Sequence, residues 1–258
     1  MSSESLKEQF IAENGEHAWK DCWQSILKLS PGFFKASLDL LSVPKRAGHH
    51  HLPAKLQALI ALAVDSASTH LYAPGIQEHI QTALKEGATV AEIVEVVELT
   101  STLGIHACNI GVPILAEVLR EENHPAGQAS PFNSRQEQLK AEFIKNRGYW
   151  HVFWEDFLRL DPDFFAAYLN FSSVPWTKKT EHGENGALEP KVKELIYCAF
   201  DAAATHLYVP GLKLHMRNAL RYGATPQEIM EVLEIATSLS LHTANVAVPI
   251  LEKELSKK

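Results

Sequence analysis

Residues 55–89 read KLQALIALAVDSASTHLYAPGIQEHIQTALKEGAT, and residues 191–225 read KVKELIYCAFDAAATHLYVPGLKLHMRNALRYGAT. The two segments start 136 residues apart and align without a gap as far as Pro113 and Pro249. Roughly half of the aligned positions in the quoted segments are identical, which is far above chance for a window of this length. We therefore interpret the chain as one unit that is present twice in tandem.

The duplication extends upstream of the quoted segments at a shorter offset. Two tryptophans of the first copy align with two of the second at an offset of 131 residues, Trp19 with Trp150 and Trp23 with Trp154. The change of offset predicts a five-residue insertion between Pro175 and Leu188. Residues 123–134 are rich in Pro, Gly, Ser and Asn, which is typical of a linker. The predicted organisation is repeat 1 over residues 1–122, a linker over 123–134 and repeat 2 over 135–258.

Each copy has helical patterning. Leu56, Leu59, Ile60 and Val64 recur at spacings of three and four residues, which indicates an amphipathic helix. A break at Pro74–Gly75 precedes a second helix, which is expected to end near Gly87. Two Thr-x-x-Glu patterns, Thr89 with Glu92 and Thr225 with Glu228, predict capping boxes. No alternating strand pattern with hairpin turns occurs, so the predicted fold class is all-α.

The composition limits the classes of partner. The chain has a net charge of -7, 46% hydrophobic and 21% charged residues, and no basic run along one helix face. These values argue against nucleic acid or an anionic membrane as a partner. The N-terminal segment is polar and no apolar run is long enough to span a membrane, so we expect a cytoplasmic protein. Three widely separated cysteines suit reduced thiols better than a disulfide framework.

The most distinctive motif of the first copy runs from Asp65 to His79. It reads Asp-x-x-x-Thr-His-Leu-Tyr-x-Pro-Gly-x-x-x-His and places Asp65, His70, Tyr72 and His79 close together in sequence. The second copy repeats the motif with Asp201, His206, Tyr208 and His215. The last histidine of each motif lies within the apolar stripe of a helix. Such an imidazole is expected to face the interior, where it needs a partner or a function.

A second motif has the form His-x-x-Asn-x-x-x-Pro. It occurs as His106, Asn109 and Pro113, and again as His242, Asn245 and Pro249. This spacing places the three side chains on one helix face. If the helix continues through the proline, the carbonyl of the asparagine loses its usual donor. Alternatively, the proline starts a new helix.

Structural roles compete with functional ones for these residues. A single inward histidine is more often a hydrogen-bonded core residue than a catalyst. Three matched histidines per copy, accompanied by Asp, Tyr and Asn, favour a site, although two copies also share residues by descent. Glu92, Glu95 and Glu98 are interpreted as capping and solvated-face groups. The His49-His50-His51 run has no counterpart in the second copy and is interpreted as a loop.

The segment from each motif histidine onward resembles the carboxymuconolactone decarboxylase / alkyl hydroperoxidase D family. The resemblance is carried by His79 followed by AlaLeuLysGluGlyAlaThr and GluIleValGluVal, and by the matching run after His215. It covers residues 55–119 and 191–255. The resemblance implies an alkyl hydroperoxidase D-like helical fold, with the tandem copies packed as a pseudo-dimer. It also implies assembly of six units, here a homotrimer of tandem chains.

The thiol branch of the family uses a Cys-x-x-Cys pair, preceded by a glutamate and followed by a histidine. In this chain Tyr72-Ala73-Pro74-Gly75 stands at the corresponding spacing before His79, so the thiol nucleophile is missing. The family's glutamate is matched by Glu194 in the second copy, where the first copy has Ala58. Hydroperoxide reduction is therefore disfavoured.

The decarboxylase branch resembles a cofactor-free lyase that acts on a carboxylated unsaturated lactone from aromatic catabolism. Loss of CO₂ leaves negative charge on a conjugated carbonyl, and this requires a hydrogen-bond donor at oxygen and a proton donor at carbon. The resemblance therefore suggests a carbon–carbon lyase for a small carboxylated lactone or carbonyl compound, without cofactor or metal. No arginine is evident for binding a dicarboxylate, so the substrate stays open.

We assign hypothetical roles to six residues in each copy. The proposed acid/base residues are His79 and His215, with His70 and His206 also placed in the catalytic set. The proposed substrate-binding residues bind the substrate or orient an imidazole. They are His106, His242, Asp65, Asp201, Tyr72, Tyr208, Asn109 and Asn245. Two alternatives stay open: a metalloprotein with His70, His79, His106 and Asp65 as ligands, and a non-catalytic small-molecule binder.

Overall fold

The computed structural model of the chain describes residues 2–46, 48–179 and 186–257. Within these ranges all regular elements are helices, which confirms the predicted all-α class. The predicted five-residue insertion falls in the loop that contains residues 180–185, which lie outside the described ranges.

Each copy contributes seven α-helices. In the first copy they are α1 Ser3–Asn14, α2 Asp21–Leu29, α3 Pro31–Ser42, α4 Ala54–Ser66, α5 Ala73–Lys85, α6 Val90–Ser101 and α7 His106–Glu121. In the second copy they are α8 Ser134–Arg147, α9 Phe153–Leu160, α10 Pro162–Thr177, α11 Pro190–Ala202, α12 Val209–Arg221, α13 Pro226–Ser238 and α14 His242–Leu255. Helices at the same place in the two copies, such as α4 and α11, are equivalent.

Local sequence signals account for the starts of α6 and α13. Thr89 and Thr225 each form the predicted capping box, in which the threonine side chain accepts from the backbone N–H of the glutamate three residues on. Helix α4 ends at Ser66, so Tyr72 lies beyond the helix that carries Asp65. Leu71 has a φ of 50°, and Leu207 repeats this left-handed conformation. The turn brings the backbone N–H of Tyr72 back to the carbonyl of Asp65.

Helices α7 and α14 both continue through their internal proline. Pro113 lies inside α7 and Pro249 inside α14. The alternative that Pro113 starts a new helix is therefore wrong. Since proline has no N–H, the carbonyl of Asn109 loses its usual helical donor.

The two copies share a single central core instead of forming one core each. Residues from α4 and α6 pack with residues from α11 and α13, and Ile60 and Leu195 are fully buried there. The outer helices exchange partners between the copies. Helices α1–α3 pack against α14, with Phe34 and Leu241 in one cluster, and α8–α10 pack against α7, with Phe165 and Ile105 in another. The repeat boundaries therefore describe the duplication and not two separate packing units.

A buried ion pair links α6 to α11 and holds the residues that precede α11. The Glu95 carboxylate lies 2.8 Å from the Lys193 Nζ, and both side chains are 0% exposed. Glu95 also accepts hydrogen bonds from the backbone N–H groups of Ala187 and Leu188. The interpretation of Glu95 as a solvated-face group is wrong, because its helix α6 packs against α11. In the other copy Glu231 holds the residues before α4 in the same way, with Gln57 in the place of Lys193.

Among the described residues, one helical segment meets the length and composition requirement of a membrane span. Helices α6 and α7 are joined by the 3₁₀ turn Thr102–Ile105 and form one continuous segment, Val90–Glu121. Of the apolar 18-residue stretch within this segment, 28% is buried. The expectation that no apolar stretch is long enough is thus too strict. Val96, Leu99 and Leu103 of this segment pack into the central core.

Candidate active site

The candidate residues from the two motifs come together in two clusters that each draw on both copies. We call them the Asp65 cluster and the Asp201 cluster. The Asp65 cluster contains Asp65, His70, Tyr72 and His79 from the first copy and His242 and Asn245 from the second. The Asp201 cluster contains Asp201, His206, Tyr208 and His215 from the second copy and His106 and Asn109 from the first.

Three histidines approach the carboxylate of Asp65. His70 Nε2 and His242 Nδ1 lie 3.8 and 3.6 Å from Asp65 Oδ1, and they lie 2.8 Å from each other. His79 Nε2 lies 3.3 Å from the other oxygen, Oδ2. The carboxylate is buried at the end of α4, with 2% of Asp65 exposed. Its two oxygens therefore face different histidines.

A tyrosine and an asparagine hold the α14 histidine of this cluster. The Tyr72 ring stacks on the His242 ring with centroids 3.8 Å apart, and the Asn245 side chain lies beside the Tyr72 hydroxyl, where it acts to lower the pKa of that phenol. Burial raises the pKa of Tyr72, which keeps the phenol protonated. Burial also lowers the pKa of His242 to about 4, although Asp65 opposes this shift. The neutral imidazole and the neutral phenol are the expected forms near neutral pH.

The Asp201 cluster repeats this arrangement with one difference. His106 Nδ1 lies 2.5 Å from His206 Nε2 and 3.8 Å from Asp201 Oδ1, and Tyr208 stacks on His106 at 3.8 Å. His215 pairs with Glu194 instead of the aspartate, at 2.6 Å, and Asn218 donates a hydrogen bond to the same carboxylate. The first copy has Ala58 in place of Glu194, so His79 has only Asp65 within reach among the described carboxylates.

The grouping corrects the ligand set of the metalloprotein hypothesis. His106 does not join His70, because α7 of the first copy packs against the second copy and carries His106 to Asp201. The equivalent histidine of the other copy, His242, takes that place beside His70.

The pKa of Asp201 is strongly raised. Complete burial and the nearby Glu194 carboxylate raise it to about 8. Burial and the neighbouring His206 lower the pKa of His106 to about 3. Asp201 and His106 are therefore expected to be largely uncharged near neutral pH when the protein is alone.

Of the two clusters, the Asp65 cluster is the one that opens, within the described part of the chain, onto a cavity large enough for a small organic molecule. This cavity has a volume of about 560 Å³, and His79, Tyr72, His242 and Asn245 form part of its wall. A second cavity of about 480 Å³ adjoins it and shares His79. At the Asp201 cluster the corresponding space is about 30 Å³, roughly the volume of one water molecule.

Larger side chains fill the space at the Asp201 cluster. The tyrosines Tyr149, Tyr168 and Tyr197 line it, together with the buried Arg147. Tyr197 stands at the position of Ala61 in the first copy, so a phenol ring replaces a methyl group. Arg147 donates to the carbonyl of Ser172 and stacks on Trp176, which makes it a packed residue of this wall.

Sequence reasoning missed several ionisable residues of the open cavity. Lys20, Lys45 and Glu78 all line it. Burial raises the pKa of Glu78 and lowers that of Lys45. The signal was present in the alignment of the copies, because Glu78 is matched by Leu214.

The geometry defines an all-helical tandem protein with two internal histidine–carboxylate clusters, one of them at a ligand-sized cavity. The model of the carboxymuconolactone decarboxylase family matches residues 31–104 and 162–253. A crystal structure from Burkholderia xenovorans LB400, given the provisional name gamma-carboxymuconolactone decarboxylase subunit, is 50% identical to this chain. It superposes with a TM-score of 0.92 over 100% of this chain and 98% of that one. Among curated proteins none matches the chain. The chain belongs to the carboxymuconolactone decarboxylase family.

Proposed function

We propose that this chain is a carbon–carbon lyase that acts at the Asp65 cluster on a small carboxylated lactone or carbonyl compound, of the type formed in aromatic catabolism. Family membership and the provisional name of the Burkholderia structure support the class of reaction. The observation that carries the proposal is the position of His79, which lines the cavity of about 560 Å³ and lies 3.3 Å from the buried Asp65 carboxylate.

The cavity wall supplies the groups that a decarboxylation requires. As CO₂ leaves, negative charge spreads onto the adjoining carbonyl, and a neutral donor there stabilises it. The Tyr72 hydroxyl and the Asn245 amide are such donors at the wall. The carbanion carbon then takes a proton, and His79, oriented by Asp65, is the proposed proton donor. Lys20 and Lys45 provide positive charge for a substrate carboxylate, which removes the need for an arginine.

We assign the reaction to one cluster per chain. The Asp201 cluster has the same histidines, but its space of about 30 Å³ admits no organic substrate. His215 is moreover engaged by Glu194, whose carboxylate lies 2.6 Å from its Nδ1. In this proposal the second cluster has a structural role.

The thiol alternative finds little support in the cavity. Cys22 is the one described cysteine on its wall, and burial raises the pKa of that thiol. A thiol with a raised pKa is a poor nucleophile, and no second cysteine of the chain is near it in sequence. Dithiol hydroperoxide reduction is accordingly not the function we propose.

We also propose that the chain assembles as a homotrimer in the cytoplasm. The support is an apolar surface on the last helix of each copy, with Ile110 and Ile114 exposed on α7 and Val246 and Ile250 exposed on α14. Monomeric proteins rarely expose apolar patches of this kind. Light scattering of the purified protein would contradict the trimer by giving the mass of one chain.

The decisive experiment compares the two equivalent histidines. Untagged protein is assayed for CO₂ release and loss of the conjugated absorbance with carboxymuconolactone-type substrates. His79→Gln is expected to lower kcat/KM by roughly 10²-fold or more, as loss of a general acid does. His215→Gln is the matched control and is expected to retain activity to within a few-fold. Equal activity of His79→Gln and the wild type, with thermal unfolding unchanged, would refute the proposal.

A further inference from the structure

We infer that each cluster binds one divalent transition-metal ion through two imidazoles and one carboxylate. The ligands are Asp65, His70 and His242 in one cluster and Asp201, His206 and His106 in the other. This inference shares residues with the proposed function but does not depend on the reaction. It departs from the cofactor-free expectation of the sequence.

The first argument is the spacing of the three ligand atoms at Asp65. His70 Nε2, His242 Nδ1 and Asp65 Oδ1 are separated by 2.8, 3.6 and 3.8 Å. These separations average about 3.4 Å, which is the spacing of ligands around a tetrahedral ion with bonds of about 2.1 Å. A single point about 2 Å from all three atoms therefore exists, at the length of zinc–nitrogen and zinc–oxygen bonds.

The second argument is the lack of hydrogen-bond partners for the buried carboxylates. Both oxygens of Asp201 have no hydrogen-bond partner among the described residues. Asp65 Oδ2 has none either, but it faces His79 at 3.3 Å and is not the proposed ligand atom. Asp65 is 2% exposed and Asp201 is 0% exposed. A buried carboxylate without a partner is costly, and such groups call for an explanation. At the Asp201 cluster a hydrogen bond between His106 and His206 leaves both carboxylate oxygens unsatisfied, whereas a cation among the three ligand atoms provides a partner for Asp201 Oδ1.

The third argument is that the surroundings hold the ligands in place. Tyr72 and Tyr208 stack on His242 and His106, each with centroids 3.8 Å apart, and so fix the planes of these rings. A glycine in the first turn of α5 leaves room for the Asp65 carboxylate, and Gly211 of α12 does the same for Asp201. Rings and carboxylates that are held in one orientation form the kind of site that binds a metal tightly.

The donor set selects the class of ion. Two imidazole nitrogens and one carboxylate oxygen suit zinc, iron(II), manganese(II) or cobalt(II), whereas calcium and magnesium prefer oxygen ligands alone. His242 also lines the large cavity, so an ion at Asp65 would have an open position for a ligand there. The ion at Asp201 would face a space of about 30 Å³ and exchange more slowly.

Each ion would also join the two copies of the unit. At both clusters one histidine comes from the copy that does not supply the aspartate, His242 on α14 and His106 on α7. Metal–ligand bonds between the copies would supplement the contacts that α7 and α14 already make with the other copy. Metal occupancy is therefore expected to raise the stability of the whole chain.

The experiment measures the metal content of untagged protein that has been grown with added zinc, iron and manganese and purified without chelator. The wild type is expected to contain about two ions per chain, one per cluster. His242→Ala and His206→Ala are each expected to halve this content, and the double variant to abolish it. His49→Ala/His51→Ala is the control for adventitious binding by the loop and is expected to retain both ions.

A second measurement needs no variant and guards against loss of folding. Wild-type protein is dialysed against a chelator and titrated with cobalt(II), whose visible absorption reports nitrogen ligation and coordination number. Saturation near two equivalents per chain, with zinc displacing the cobalt, supports the inference. Absence of ions in the purified protein, together with no cobalt absorption on titration, would overturn it.

The outcomes separate the two proposals. Turnover by metal-free wild-type protein that binds no cobalt would leave the lyase proposal intact and overturn the metal sites. Two bound ions without turnover of any carboxylated lactone would support the metal sites and refute the lyase proposal. Activity that is lost with chelator and restored by one metal would place an ion in the reaction itself.

Discussion

Gly75 and Gly211 show how much a single position contributes to the clusters. A Cβ on Gly75 would lie 1.8 Å from Asp65 Oδ2, and one on Gly211 would lie 2.4 Å from Asp201 Oδ2. The carboxylates can therefore reach their histidines only because these two residues have no side chain. Both glycines have ordinary helical backbone angles, so the requirement is one of space and not of conformation.

We expect Gly75→Ala to displace the Asp65 carboxylate and destabilise the chain by about 1–3 kcal/mol, the usual cost of overpacking. Turnover should fall together with the metal content of that cluster. Thermal unfolding and kcat/KM measure the two effects. Gly111→Ala on α7 is the control, because nothing lies within 4 Å of its added Cβ, and an exposed helical alanine should stabilise by about 0.5–1 kcal/mol. An active, fully stable Gly75→Ala would contradict this account of the carboxylate.

At the scale of the helix, the capping boxes of α6 and α13 carry a pH-dependent contribution. Burial acts to raise the pKa of Glu92, but hydrogen bonds from Lys55 and Thr89 outweigh it and leave the pKa below its usual value. The pKa of Glu228 on α13 is lowered in the same way, by its hydrogen bond with Lys191. A depressed carboxyl pKa means that the folded state favours the ionised form. Its stabilisation is complete above the pKa of the unfolded chain and is lost as the pH falls through the folded pKa.

We therefore expect Glu92→Gln to cost about 1 kcal/mol of unfolding free energy at pH 7 and almost nothing at pH 3. Glutamine can still accept a hydrogen bond from the backbone N–H of Thr89. The difference in unfolding free energy between wild type and variant therefore reports the charge of Glu92 and its ion pair with Lys55, whose Nζ lies 2.8 Å from Glu92. Urea unfolding at both pH values tests this. Glu117→Gln, at an exposed position of α7, should show no comparable loss. A penalty of equal size at both pH values would rule out the electrostatic explanation.

At the scale of the whole molecule, the shared core makes the two copies dependent on each other. Ile60 of α4 and Leu195 of α11 are both fully buried in it. Without the second copy, α1–α3 would lose Leu241 and Val248 as packing partners. The linker proposed for residues 123–134 therefore does not separate two independently packed cores.

We expect residues 1–122 on their own to form no folded monomer, because removal of the second copy exposes the central core. Co-expression with residues 135–258 should restore a stable complex. Sedimentation and thermal unfolding of the separate and the mixed halves check this. A monomeric 1–122 that unfolds cooperatively would contradict the interdependence of the copies.

The local features were predictable because they depend on neighbours in sequence. The helical class, the capping boxes at Thr89 and Thr225, and the pairing of Glu92 with its cap follow from spacings of three and four residues. The end of α4 at Ser66 was not predicted, because the turn that follows has its positive φ at Leu71 and not at a glycine. The burial of Glu95 was also missed, because its partner Lys193 lies in the other copy.

The candidate residues were selectable because the duplication repeats them, and all twelve lie in the two clusters. Their grouping was not predictable. In a tandem repeat, His106 and His242 are equivalent in sequence, so neither aspartate has a preferred partner until α7 and α14 are packed. The cavity residues Lys20, Lys45 and Glu78 were missed for a related reason, since they lie on three different segments of the first copy.

The sequence by itself determined that the chain is an all-helical duplication of the carboxymuconolactone decarboxylase family, without the thiol pair of the hydroperoxidase branch. It also determined which residue types recur, because repeated motifs and helical periodicity are local properties. Only the tertiary structure decided that each cluster combines both copies, and that one opens onto a cavity while the other is closed. The physical reason is packing: the exchange of α7 and α14 brings distant histidines together, and rings such as Tyr197 fill the space that Ala61 leaves open.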